Sequence, residues 1–332
     1  MKMINIEKKP KILVIGDLMI DSYLIGKCDR IALDAPVPIV DVKEEKDELG
    51  GAGNVIRNLA SLGAKVSVMS VVGDDDNAKL LKHMLDEEGT KSFLLVQKGR
   101  NTSKKTRIMT SNQQIFRFDH ESRNNISFDN VKKLYEKLQE KIKAYDVILL
   151  ADYGKGILTR DFTQKIISYA NKNNVKTIVD PHGTDYSKYQ GAYLIIPNRD
   201  EATAATGIEI ENNDRLLDVL KEIKNKFQTH EAIVTLSEQG VALLKENKLV
   251  VLPTVPLEVY DVAGSGDTLL ASIGFALALD NTLTASLEFA NLATGVVLRK
   301  PGTGTVSIEE IQSDQVYLDR KIIERNLSCQ VK

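Results

Sequence analysis

The chain has 332 residues, 42% of them hydrophobic, enough to build one large α/β domain with a sizeable core. A net charge of -2 argues against a dedicated nucleic-acid binder but leaves room for anionic small substrates. Two distant cysteines, Cys28 and Cys329, exclude a disulfide scaffold, and the charged residues 1–10 and the lack of any run near the ~18 apolar residues of a membrane span predict a soluble, cytoplasmic protein with no membrane partner.

Residues 11–16 (KILVIG) read as a buried strand ending in a turn, and Asp17 and Asp21 follow its end. Residues 22–49 are charged and mixed. Pro36 and Pro38 forbid helix there, 39–42 predicts a short strand, and the stretch reads as an appendage. Gly50, Gly51, Ala52, Gly53 and Asn54 open a helix with Val55, Leu59 and Leu62 on one face and Gly63 at its C-terminus. A strand at 65–72 and a helix at 77–88 follow. Strand-like runs at 93–96, 106–109 and 115–118, with the 39–42 run, predict a small separate sheet.

From residue 129 the order is regular. Helix 129–143, strand 147–151, helix 160–172, strand 176–179, strand 193–196, a helix from about 198, helix 215–227 and strand 232–236 succeed one another. Such alternation predicts an α/β fold: a largely parallel central sheet with helices on both faces. Helices at 267–279 and 284–298 come last. The expectation is one domain over 1–332, with lid segments at about 22–48 and 92–120.

Residues 261–268 (DVAGSGDT) carry the most chemistry. Gly264, Ser265 and Gly266 lead into a helix apolar on nearly every side, hence buried. The first N–H groups of such a helix have no intrahelical acceptor, and small residues let an anion approach them. That suits a transferring phosphoryl group. Asp267, which would repel phosphate, suits a general base for an attacking hydroxyl. It would serve equally as a helix cap. No GxxxxGK[ST] loop occurs, and the glycines do not follow a first strand as a dinucleotide fingerprint requires. Asp17 stands where open α/β sheets bind ligands and can accept a ligand's hydrogen bonds, with Asn54 beside it; turn and cap roles remain open for both. Asn198 and Glu201 form an i, i+3 pair that fits either a Mg²⁺ site or a capping box.

Gly50-Gly51 with Asn54, the NxxE of Asn198 to Glu201, and Asp261 to Asp267 together resemble the ribokinase / phosphofructokinase-B family of sugar kinases, over about residues 11–308. The resemblance implies a ribokinase-like fold with a small β-sheet lid, ATP and Mg²⁺, and a homodimer joined through the lid sheets. Within the family, Asp29-Arg30-Ile31, Ala35 to Pro38, Asn112-Gln113-Gln114, Arg117-Phe118-Asp119, Asp152 to Gly156 and Thr235 to Gly240 resemble the kinases of D-glycero-D-manno-heptose 7-phosphate. That implies phosphorylation at C1, on the way to ADP-heptose and lipopolysaccharide core. Ribose, fructose, a nucleoside or another sugar phosphate is the alternative acceptor; a non-catalytic regulator would not need Asp267.

The resemblance assigns further roles. Asp17, Asp21, Gly50, Gly51 and Asn54 would bind the sugar. Lys105, Arg107, Arg117 and Lys155 would hold its phosphate, although basic residues on lid strands also protect an exposed edge. Asn198, Thr235, Ser237, Gly240, Gly264, Gly266 and Asn291 would line ATP. Glu201 and Asn198 would organise Mg²⁺ through water. Asp261, with nearby backbone carbonyls at Ala263 and Thr305, would form a K⁺ site, whose selectivity is affected by Ala263 in place of the family's threonine. Residues 302–305 (GTGT) would close the nucleotide pocket or hold that cation. The bifunctional relatives carry an HxGH adenylyltransferase domain. No such motif occurs here, so a kinase-only form is expected.

Overall fold

The structure, a computed structural model, describes residues 8–110, 113–254, 259–300 and 302–314. Strand β1 (Lys11–Gly16) leads into β2 (Leu18–Ile31) and β3 (Pro38–Gly51), then α1 (Ala52–Ser61), β4 (Lys65–Val72), α2 (Asp76–Glu87), β5 (Lys91–Val96), β6 (Ser103–Thr110) and β7 (Gln113–His120). Next come α3 (Phe128–Lys141), β8 (Val147–Ala151), α4 (Arg160–Lys172), β9 (Lys176–Asp180), β10 (Leu194–Ile195), α5 (Arg199–Thr206) and α6 (Asn213–Lys226). Strands β11 (Ile233–Thr235), β12 (Val241–Lys245) and β13 (Lys248–Leu252) precede α7 (Ser265–Ala278) and α8 (Leu283–Val297).

Six parallel strands form the central sheet in the order β10-β9-β8-β1-β4-β5. β8 (VILLA) is buried throughout and β1 (KILVIG) everywhere but its first residue, as a sheet covered on both faces demands. Side chains alternate between the faces. Ile12 and Val14 join the core made with α1, α2, α7 and α8, whereas Leu13 and Ile15 join the core made with α3, α4, α5 and α6. Every residue of α7 from Thr268 to Ala278 is buried. Burial of each of its Leu or Phe side chains is worth roughly 1.5–3 kcal/mol.

The chain runs from β1 to β4 and β5 on one side, then returns to β8, β9 and β10 on the other. A crevice therefore opens at the C-terminal ends of β1 and β8, the topological switch point where such sheets bind ligands. Asp17 and Tyr153 lie just beyond those two ends.

Above the crevice stands a separate four-stranded sheet, β3-β2-β6-β7. It corrects the expected lid in two ways. The charged appendage is a hairpin of two 14-residue strands, β2 and β3, with bulges at Ile25/Gly26 and Lys27/Arg30. The run at 93–96 does not belong to it: β5 pairs in parallel with β4 and forms an edge of the central sheet. The run at 232–236 is also corrected. β11 starts a three-stranded antiparallel sheet with β12 and β13, touching the central sheet's end through the Asn198–Thr235 bridge. No helix among the described residues is long and apolar enough to cross a membrane.

Candidate active site

Six of the eight α-helices named above start at an Asp, Ser, Thr or Asn whose side chain accepts a first-turn N–H. The exceptions, α1 and α7, start at Gly51 (φ 55°) and Gly264 (φ 73°) with no side-chain cap. These two open N-termini meet. Asn54 Nδ2, in α1, donates to Asp267 Oδ2, in α7, at 2.7 Å. Asp267 is therefore the third residue of its helix and not its cap.

The Gly266 and Asp267 N–H groups meet no backbone acceptor among the described residues, as expected of a helix's first turn. Gly266 is exposed. The Ser265 amide departs from expectation: it donates to Val262 O at 3.3 Å, closing the turn into the helix. Two amides and the helix dipole remain to face an anion.

Tyr153 completes the setting of Asp267. Its hydroxyl donates to Asp267 Oδ1, so both carboxylate oxygens hold a protein donor. Burial pushes Asp267 up to about 6, while the Tyr153 and Asn54 hydrogen bonds pull the other way. The Tyr153 phenol is itself driven well above its ordinary range by burial and by Asp267, so it remains a donor.

Asp17 was expected to grip sugar hydroxyls. Its carboxylate accepts the N–H groups of Tyr153 (2.9 Å), Lys155 (3.1 Å) and Ile157 (3.2 Å), and the residue is buried. Because β1 and β8 are neighbours, Asp17 lies under the loop that follows β8 and anchors it. Burial, then Asp152, raise its proton affinity, and the three amides oppose them. Arg100 pins the same loop from outside: its guanidinium donates to Lys155 O and, at 2.9 Å, to Asn124 O. Asp17 thus positions Tyr153, and Tyr153 holds Asp267.

Asp21 sits two pleats further on, in β2, its Oδ1 accepting from Arg107 Nη1 at 2.6 Å. Its Oδ2 overlies Gly50, where any Cβ would collide with it. Strand pairing sets Asp21, Lys105 and Asp119 in one row and Tyr23, Arg107 and Arg117 in the next, all on one face. The basic residues do not form the free cluster expected for a phosphate. Arg107 pairs with Asp21, Arg117 with Asp119 at 3.0 Å, Lys105 with Asp119 at 3.8 Å and Lys155 with Glu121 at 2.7 Å. Desolvating so many cations without partners would be costly, and the lid supplies carboxylates in register.

Asn198 and Glu201 form a reciprocal capping box, each side chain bonding the other's N–H at 2.9 Å. One Glu201 oxygen is thereby taken and the other is not part of the box. Asp180 was not singled out from the sequence, although it ends β9 just as Asp17 follows β1. Burial, then Asp267, then Glu201 push its carboxyl well above the usual range. Thr303 was missed as an individual residue: its hydroxyl donates to Glu48 Oε2 at 2.8 Å, tying β3 to the 302–304 loop.

Thr235, Ser237 (φ 51°) and Gly240 (φ 98°) follow one another along β11 and the turn into β12. Gly240 packs on Leu252 O, and Asn291 Nδ2 donates to that carbonyl at 3.2 Å. The amide of Asn291 thus fastens α8 to β13. Asp261 joins two loops, accepting from Ala263 N at 2.9 Å and Gly302 N at 3.0 Å. Asn112, Val255, Pro256, Leu257, Glu258 and Pro301 lie outside the described residues, so the Asn112 part of the lid motif is not placed.

Residues 9–311 match the family described as pfkB family carbohydrate kinase. The chain is 52% identical over 307 residues to the bifunctional protein HldE of Aliarcobacter butzleri, covering 92% of this chain and 64% of that protein. It is 46% identical to the bifunctional protein HldE of Sulfurimonas denitrificans, covering 96% of this chain and 67% of that one. The chain thus spans about two thirds of these relatives' length. In fold it is similar to phosphofructokinase-2 from Escherichia coli, described in complex with potassium (TM-score 0.79, 21% identity, 93% of this chain and 99% of the other). It is also similar to Arabidopsis thaliana ribokinase, described as complexed with ribose and ATP (TM-score 0.71, 18% identity, 92% and 99%).

Proposed function

Since the chain belongs to the pfkB family of carbohydrate kinases, we propose that it transfers the γ-phosphoryl group of ATP to the C1 hydroxyl of D-glycero-D-manno-heptose 7-phosphate. The product is the β-1,7-bisphosphate, a step toward ADP-heptose and lipopolysaccharide core, made in the cytoplasm. The observation that carries the reading is Asp267, held on both oxygens at the open N-terminus of α7. The sugar O–H bond breaks as the proton passes to Asp267. The new O–P bond forms as the bond from Pγ to the β–γ bridging oxygen breaks, and ADP leaves. The Gly266 and Asp267 amides, with the α7 dipole, stabilise charge on the moving phosphoryl oxygens. Asp21 supplies an acceptor for a sugar hydroxyl, and the Thr235 to Gly240 segment flanks the nucleotide.

The donor set fits Mg²⁺. Glu201 keeps one oxygen outside its capping box, and Asp180 is a half-buried carboxylate that feels both Glu201 and Asp267. Hard oxygen donors suit this ion. No group of three or more His, Cys, Asp or Glu among the described residues is arranged to hold a metal directly, so water would bridge Glu201 and Asp180 to it. When bound, Mg²⁺ neutralises phosphate charge.

A second reading keeps the chemistry and changes the acceptor, and one observation favours it: Lys105, Arg107, Arg117 and Lys155 all lie against carboxylates, Lys105 and Arg117 sharing Asp119. ADP release measured across heptose 7-phosphate, fructose 6-phosphate, ribose, fructose and a nucleoside separates the two. The first reading requires the highest kcat/KM for the heptose phosphate; turnover of unphosphorylated sugars alone would reject it.

The lid also supports a homodimer. Leu24, Ile108, Phe116 and Phe118 share the lid face opposite Arg107, and Phe116 and Phe118 are 59% and 47% exposed. Exposed aromatic residues in register on a strand pair suit a second copy of the same sheet.

A further inference from the structure

The Asp261, Ala263 and Thr305 set does not fit a free monovalent cation, and we infer that the ammonium of Lys300 stands in that cation's place, leaving turnover independent of potassium. The inference rests on the phosphoryl-transfer reading above. Three observations carry it, one for each ligand.

Asp261 is engaged on both oxygens. Oδ1 accepts from Ala263 N and Oδ2 from Gly302 N, so its charge already joins the 261–264 turn to the 302–305 loop. Ala263 keeps its backbone carbonyl but, with a methyl group where a hydroxyl would stand, offers no side-chain oxygen. The Thr305 carbonyl accepts from Lys300 Nζ at 2.7 Å. That ammonium is fixed at a second point by Glu310 Oε1 at 2.6 Å, and Glu310 Oε2 in turn accepts from Ser307 N at 2.8 Å. The lysine stem lies under Gly304, where a Cβ would stand 3.1 Å from Lys300 Cβ and Cδ. A potassium ion on the Thr305 carbonyl would therefore sit beside a positive charge already in place.

What a bound cation would do for these loops, Lys300 does by itself. The loop it braces carries Thr303, whose Cγ2 lies 3.4 Å from the position of a Cβ on Gly264, the residue that opens α7. Thr303 also receives Arg57 Nη1 on its carbonyl at 3.3 Å and gives its hydroxyl to Glu48 on β3. A tethered cation, its charge balanced by Glu310, so braces the loop that walls the anion site. An ammonium on a covalent stem needs no recruitment from solution, so its occupancy does not vary with salt.

The test uses the full chain at constant ionic strength, with potassium chloride exchanged for tetramethylammonium chloride. Two quantities are read, melting temperature and ADP release. For the wild type, neither should depend on potassium, with turnover changing by less than about twofold and no saturable rise in melting temperature. The Lys300→Met variant should lose about tenfold or more in kcat, and ammonium or potassium should restore part of it and raise its melting temperature. Saturable activation or stabilisation of the wild type by potassium would overturn the inference. So would a Lys300→Met enzyme with wild-type turnover in tetramethylammonium. The wild-type arm decides even if the variant fails to fold, and the melting arm reads cation binding whichever sugar is the acceptor.

Discussion

Asp267 and Tyr153 show how the sequence and the structure divide the work at the scale of single residues. A carboxylate after a glycine-rich turn reads as a base in the sequence. That its two oxygens rest on Asn54 and Tyr153, 213 and 114 residues away, does not. The Tyr153 hydrogen bond favours the ionised base, so its removal should raise the proton affinity of Asp267 further above about 6. A hydrogen bond to a charged group is worth about 1.5–3 kcal/mol, or roughly 1 to 2 pH units. For Tyr153→Phe we expect the acid limb of the kcat/KM profile to move up by about that much, with activity largely retained at high pH. A uniform loss at every pH would instead mark a purely structural tyrosine. Asp17 was legible as a strand-end carboxylate beside the crevice. Its engagement by three backbone amides was not, because they belong to a loop brought alongside only by the β1–β8 pairing. The strand-end rule that flagged Asp17 applies equally to Asp180, and extending it would have found that residue.

At the scale of elements, the parallel sheet and its helices were readable because their apolar runs are unbroken or helically spaced. The lid strands were not. Seven of the eight residues from 41 to 48 are charged, so β3 lacks the alternation that marks a strand, and its pairing with β2, itself held by β6, provides its order. β5 looked like the lid runs at 106–109 and 115–118 because each is a short strand-like run; only pairing with β4 assigns it to the central sheet. The two helices without side-chain caps are the ones whose N-termini build the site, a pattern that propensity alone cannot reveal. Gly264 is the joint. Its φ of 73° is costly for other residues, and a Cβ there would come 2.6 Å from Asn54 Nδ2. Gly264→Ala should therefore displace Asn54 and the first amides of α7 together. We expect kcat to fall by about tenfold to a hundredfold with a well-folded protein, checked by steady-state kinetics beside circular dichroism. Unchanged kcat would show that the turn is not needed for transfer.

For the whole molecule, one topological feature organises the rest. The reversal of strand order beside β1 opens the crevice, α1 and α7 present their N-termini to it, and the β2–β3 hairpin rises from the end of β1 to cover it. The same hairpin turns its outer face, with Leu24 and across from it Phe116 and Phe118, toward solvent. Phe116→Asp with Phe118→Asp should convert a dimer to a monomer in sedimentation experiments; a wild type that is monomeric at micromolar concentration would contradict the proposed pairing.

The most direct measurement compares wild type and Asp267→Asn in single-turnover phosphoryl transfer, with ATP binding and melting temperature read on the same samples. Burial raises the Asp267 pKa above 3.8 to about 6, so between those values the folded protein holds a proton that the unfolded chain has released. The contribution of this group to stability therefore falls as pH rises through that window, and at pH 8 the neutral amide should melt no lower than the wild type. The account predicts intact ATP binding, unimpaired stability and transfer slower by about 100-fold or more. Transfer at the wild-type rate by the asparagine variant would contradict it.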